Sequence, residues 1–168
     1  MTKTMLYLHA LSPIHAGVGQ AAAVIDLPIA REKTTGWPVL PASSFKGVLR
    51  QGKVDEAANS RFGSMEAAGE WTFADMHLLF FPARSLYGTF AYVTCPLALL
   101  RYERDAAALG LPSLGGLPTA PETRAVLRTE DCALRRTNTE SVVFDDLSYG
   151  ATRSTAGQSC SDTRIDAV

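Results

Sequence analysis

The stretch GWPVLPASSFKGVLR, Gly36 to Arg50, restricts the backbone more than any other part of this chain. Pro38 and Pro41 fix their own φ and hold the residues before them, Trp37 and Leu40, in extended conformations. A turn is therefore set near Gly36, and a helix can start only after Pro41. Ser43 suits the N-cap position, and Phe45, Val48 and Leu49 supply the i, i+3, i+4 apolar face of a short helix ending near Gly52. A turn, two hydroxyl side chains, a lysine and a helix N-terminus put free N–H groups, Oγ donors and an ammonium on one small surface. That is a chemistry that holds phosphate. Ser43, Ser44, Lys46 and Arg50 equally describe an ordinary helix cap with an exposed lysine, and the pattern alone leaves both readings open.

The flanking segments read as a mixture of strands and helices. TMLYLHAL, Thr4 to Leu11, alternates well enough for an opening strand. SPIHAGVGQ is a loop, broken by Pro13, Gly17 and Gly19. Ala21 to Arg31 is a second extended candidate, with Pro28 arguing against a central strand. Residues 53–70 are polar and rich in small side chains, as an exposed insertion would be. Trp71 to Phe81 and Leu86 to Thr94 have strand composition and predict a pair joined across Pro82 to Ser85. Pro96 opens a helix that should stop at Gly110. Pro112 to Pro121 is irregular, and Val142 to Leu147 is a short strand candidate. After Gly150 apolar periodicity ceases, so residues 150–168 read as a disordered tail behind a domain spanning 1–149.

Charge and cysteine usage narrow the setting. The chain has 168 residues and a net charge of −1, so no overall basic excess marks a polyanion binder. Residues 1–50, however, hold Lys3, Arg31, Lys33, Lys46 and Arg50 against Asp26 and Glu32, while the remainder is acidic. A polyanion should therefore contact the N-terminal third. Cys95, Cys132 and Cys160 fit neither a disulfide framework nor a paired zinc site, which suits thiols in a reducing cytoplasm. No signal-peptide pattern and no run of membrane-spanning length is present, so a cytoplasmic location without membrane contact is expected.

Gly36, Pro38, Leu40, Pro41, Ser43, Ser44, Phe45, Lys46, Gly47, Leu49 and Arg50 match a turn that recurs in the RAMP superfamily of CRISPR guide-RNA-binding proteins. With LSPIHAGVGQ, AVIDLPIARE, LLFFPARSLYGTFAYVTCP and LRYERD, the chain resembles the backbone subunit of the type III-B, or Cmr, complex over residues 4–147. The resemblance implies an α+β fold with an RNA-recognition-motif-like, ferredoxin-like core. It implies copies stacked along a guide RNA together with other complex subunits, and a target RNA cut at regular intervals. It also assigns the cutting to an acidic loop residue, here Asp26, in an endoribonuclease active only within the assembled complex. RNA can be cleaved by its own 2′-OH, so one carboxylate can orient the phosphate, take a proton or hold a Mg²⁺ that keeps several waters. His15 is a second catalytic candidate, and Arg31, Lys33 and Arg84 are further RNA-contact candidates beside the Ser43 turn. His77, in an apolar stretch, reads as structural.

The superfamily's Gly-rich C-terminal segment has no counterpart here, which implies an incomplete core and an exposed sheet edge prone to association. Two readings follow: a guide-RNA-binding subunit that cleaves its target, or a catalytically inactive, truncated RNA-binding module. A third, an enzyme for a phosphorylated metabolite, lacks both a Walker loop and a dinucleotide fingerprint.

Overall fold

The computed structural model describes residues 2–19, 27–53, 55–117, 125–128, 134 and 140–153. Asp26, Cys132, Cys160 and the tail beyond Arg153 lie outside the described residues. In chain order the elements are β1 (Val39–Leu40), α1 (Ala42–Arg50), α2 (Glu56–Phe62), β2 (Met76–His77), β3 (Phe81–Arg84), β4 (Phe90–Val93), α3 (Pro96–Ala108), β5 (Ala125–Arg128), β6 (Ser141–Phe144) and β7 (Leu147–Arg153). This mixture of helices and small sheets is the α+β composition expected. It forms two compact units, Leu8–Leu78 and Met1–Tyr7 with Leu79–Val168.

In the Leu8–Leu78 unit, β1 and β2 pair antiparallel, Val39 opposite His77 and Leu40 opposite Met76. The chain before them folds back twice. Gly17 bridges Ile29, Arg31 bridges Pro38, and the buried Ala30 donates its N–H to Ala16 and accepts that of Val39. The strand expected at Thr4 to Leu11 has no ladder partner among the described residues, and Leu11 is 92% exposed. Alternation fixes which side chains share a face of an extended segment; only a neighbouring segment can turn it into a strand.

Residues 53–70, expected as an exposed connection, contain α2. Asp55 caps it, accepting the Ala58 N–H at 2.7 Å, and Phe62 and Ala58 anchor it by burial. Its polar composition hid it, because one buried aromatic and one alanine are a faint apolar face. Beyond it, Gly63 adopts φ +86°, and the chain doubles back so that Glu70 and Trp71 donate their N–H groups to the carbonyls of Ser60 and Arg61. Gly69 must be glycine there. A Cβ at that position would run into the backbone of Phe62, Gly63 and Arg61.

In the other unit the pairing across residues 81–93 differs from the sequence reading in register. Phe81–Arg84 is itself the strand β3, and it pairs with β4 from Phe81 opposite Val93 to Arg84 opposite Phe90. Pro82, read as part of a turn, sits in the strand, where a missing N–H is tolerated at an edge. The turn is moved to residues 85–89, where Gly88 and Thr89 take positive φ. The helix predicted from Pro96 is present as α3, with Ala98 and Ala106 buried. After it, Glu103 accepts hydrogen bonds from Ser113 Oγ and the Leu114 N–H, pinning the irregular segment.

The expected strand near Val142–Leu147 is a hairpin. β6 and β7 turn tightly at Asp145 and Asp146, Asp145 taking φ +49°. β7 runs on to Arg153 and lies between β6 and a parallel β5. Gly150–Arg153 is therefore strand, where a tail was expected; a parallel partner more than twenty residues upstream leaves no local trace in these four residues. Val142, 1% exposed, packs with Ala91, Leu134 and Ala151 in this unit's core. The buried Ser85 donates its Oγ–H to the Val143 carbonyl at 3.1 Å, joining the β3–β4 hairpin to β6.

Candidate nucleic-acid interface

α1 begins where the prolines dictate. Pro41 is its N-cap, with φ −60° and ψ 137°, and has no side-chain acceptor to offer. Ser43, expected as the cap, lies one residue inside the first turn. The acceptor comes from far along the chain: Asp75 Oδ1 takes the Ala42 N–H at 2.8 Å. A carboxylate at a helix N-terminus interacts favourably with the dipole, so this pair suits the helix. It also occupies one of the N–H groups that the sequence offered to a phosphate. Ser44 and Phe45 direct their N–H groups to the Pro41 carbonyl.

The side chains of α1 sort by face. Phe45 turns inward, its ring edge-to-face with Phe73 at 6.0 Å, and Leu49 is half-buried. Val48, expected beside them, is 67% exposed. Ser43, Lys46 and Arg50, at i, i+3 and i+7, share the other side. Arg50 Nη2 donates to Asn59 Oδ1 at 2.9 Å, which fixes the guanidinium against α2 without neutralising it. Lys46 and Arg50 make no ion pair among the described residues. They border an open groove of about 410 Å³ that is also lined by Trp71, Phe73 and the Gly63–Gly69 turn. The helix face thus offers two uncompensated cations and an exposed hydroxyl beside ring surface.

Other candidates are placed differently. His15 Nε2 lies 2.8 Å from the carbonyl oxygen of Leu27, the residue after Asp26. A carbonyl can only accept, so Nε2 carries the proton and, in the neutral ring, Nδ1 keeps the lone pair. Arg31 Nη1 donates to the Gly36 carbonyl at 2.8 Å, bracing the turn that leads into β1. Lys33 is exposed in that turn. Arg84 ends β3 in the other compact unit, where its carbonyl accepts the Asp145 N–H. His77 is in β2, its Nδ1 2.7 Å from Glu32 Oε1. Neither Asp75 nor Trp71 carries a local sequence signal for its place at this surface. Asp75 lies 33 residues from the N–H it accepts, beyond any local spacing rule. Among the described residues no group of three or more His, Cys, Asp or Glu side chains is arranged to hold a metal ion, and no helix is long and apolar enough to cross a membrane.

A family model of the RAMP superfamily matches residues 7–159. The chain belongs to the RAMP superfamily. Among curated RAMP proteins, it is 43% identical over 122 residues to the CRISPR system Cmr endoribonuclease Cmr4 of Pyrococcus furiosus, covering 66% of this chain and 41% of that protein. The crystal structure of oligomeric Cmr4 from P. furiosus superposes with a TM-score of 0.70 at 34% identity, over 88% of this chain and 55% of that one. The cryo-EM structure of the type III-B Cmr-beta complex bound to cognate target RNA contains a chain of the same fold, with a TM-score of 0.56 at 20% identity, over 83% of this chain and 55% of that one. This RAMP chain spans about half the length of the relatives it matches.

Proposed function

We propose that this RAMP chain is a guide-RNA-binding backbone subunit of a type III-B CRISPR interference complex, and that it cleaves complementary target RNA at regular intervals. The observation that carries the reading is the α1 face, where Lys46 and Arg50 lie uncompensated among the described residues next to Ser43. Its sequence is part of a chain 43% identical to a Cmr endoribonuclease over the aligned residues. Backbone phosphates of a guide strand suit this surface, because such contacts position a strand without reading its sequence. In this reading the core is related to an RNA-recognition motif, further copies of the chain and other complex subunits line the guide, and the assembly works in the cytoplasm.

Cleavage is assigned to Asp26. The 2′-OH attacks the adjacent phosphorus and loses its proton, the P–O5′ bond breaks, the leaving O5′ takes a proton from water, and the products end in a 2′,3′-cyclic phosphate and a 5′-OH. Asp26 orients the phosphate or takes the 2′ proton. His15, with its proton on Nε2 held by Leu27, has Nδ1 available to accept or relay a proton. A single carboxylate suits Mg²⁺, which binds through few protein oxygens and keeps its own waters. When bound, such an ion neutralises charge on the phosphate oxygens. The test is to assemble the chain with guide RNA and partner subunits and compare the parent with Asp26→Ala. Regular cuts lost with target binding retained support the proposal; unchanged cutting removes Asp26 from the mechanism. A parent that binds but never cuts is a structural module.

A further inference from the structure

Trp71 is an aromatic side chain held in place yet left open. Its backbone N–H donates to the Arg61 carbonyl at 3.0 Å, and the Gly63–Gly69 crossing behind it admits no side chain at Gly69. Phe62 meets the indole edge-to-face at 5.6 Å and Phe73 at 6.3 Å, so the ring plane is fixed by two neighbours. Phe62 is the buried anchor of this cluster at 4% exposure, whereas Trp71 is 47% exposed. Large apolar side chains are often exposed singly, and what distinguishes Trp71 is its place beside cationic side chains. The guanidinium of Arg61 lies over the indole ring, 5.6 Å from its centroid, so it engages one face and a stacked base would take the other; the groove that Trp71 walls is the one that Ser43, Lys46 and Arg50 border.

We infer that Trp71 is a stacking platform for one unpaired nucleobase of a strand whose phosphates lie on the Ser43, Lys46 and Arg50 face. The inference rests on the RNA-binding reading above and adds a base site to it. Flat π-surface beside cations is the combination that single-stranded nucleic acid requires, and every base presents a π-face, so the site is tolerant of sequence. An apolar peptide in the same groove would desolvate Lys46 and Arg50 without pairing them.

The test measures binding of a labelled single-stranded RNA, and of the same RNA with abasic nucleotides, by fluorescence anisotropy. The parent chain is compared with Trp71→Ala and with Trp71→Leu, which keeps apolar bulk without a π-face. Both variants should bind the intact RNA roughly 5- to 100-fold more weakly, with the salt dependence unchanged. On the abasic RNA they should match the parent. Equal binding of intact RNA by Trp71→Leu, or equal losses on the two RNAs, overturns the stacking site and leaves the phosphate-binding surface standing. A parent chain that binds neither RNA overturns both.

Discussion

Asp75→Asn separates what the α1 N-terminus gives to stability from what it gives to RNA. In the parent, the Asp75 carboxylate accepts the Ala42 N–H at 2.8 Å, standing in for the cap that Pro41 cannot supply. Losing a cap altogether, as in Asp75→Ala, costs about 1 kcal/mol. Asparagine keeps an acceptor and gives up only the charge–dipole part, about 0.3–1 kcal/mol for a surface site. A phosphate over Ser43 and Lys46 would lie roughly one helical turn, ~5 Å, from that carboxylate. Two like charges at this distance in a water-like medium repel by about 0.8 kcal/mol, roughly a three- to fourfold change in affinity. Asp75→Asn should therefore lower the urea midpoint slightly while tightening RNA binding by about that factor at low salt. Raising the salt should erase the gain. Weaker RNA binding by a stably folded Asp75→Asn protein would mean that the phosphates do not approach this helix end.

Two further substitutions test the packing. Gly69→Ala places a Cβ against the backbone of Phe62, Gly63 and Arg61 and should cost about 1–3 kcal/mol by chemical denaturation, with Trp71 fluorescence altered; an unchanged midpoint would contradict the crossing. Val142→Ala empties part of the core formed with Ala91, Leu134 and Ala151 and should lower stability by about 2 kcal/mol, a loss that would be absent if that sheet were not packed.

What could be read in advance followed from how local its cause was. The helix from Pro96 was legible because proline at its first position and Gly110 beyond its end are both local signals. The start of α1 was legible for the same reason, but its cap was not, because the acceptor, Asp75, is brought alongside only by the β1–β2 pairing. β3 reads as a turn in the sequence, since Pro82 is a turn residue by composition and an edge-strand residue only by context. The strand expected from Thr4 shows the converse: alternation without a partner makes no ladder among the described residues. At the candidate site, Ser43, Ser44, Lys46 and Arg50 were legible as neighbours in one turn and helix start, and of these Ser43, Lys46 and Arg50 line the groove whereas Ser44 does not. Trp71 was not, because the glycines at 63 and 69 that bring it to the groove act through a backbone crossing. Asp26 lies outside the described residues, and its role rests on the family resemblance.

The most direct test of guide-strand binding at α1 is the salt dependence of RNA affinity for the parent and Lys46→Ala. If Lys46 neutralises a phosphate, the variant should bind more weakly at low salt, and its slope of log affinity against log salt should fall by about 0.7, one contact on a single strand. A Lys46→Ala protein with the parent's affinity and slope would contradict it.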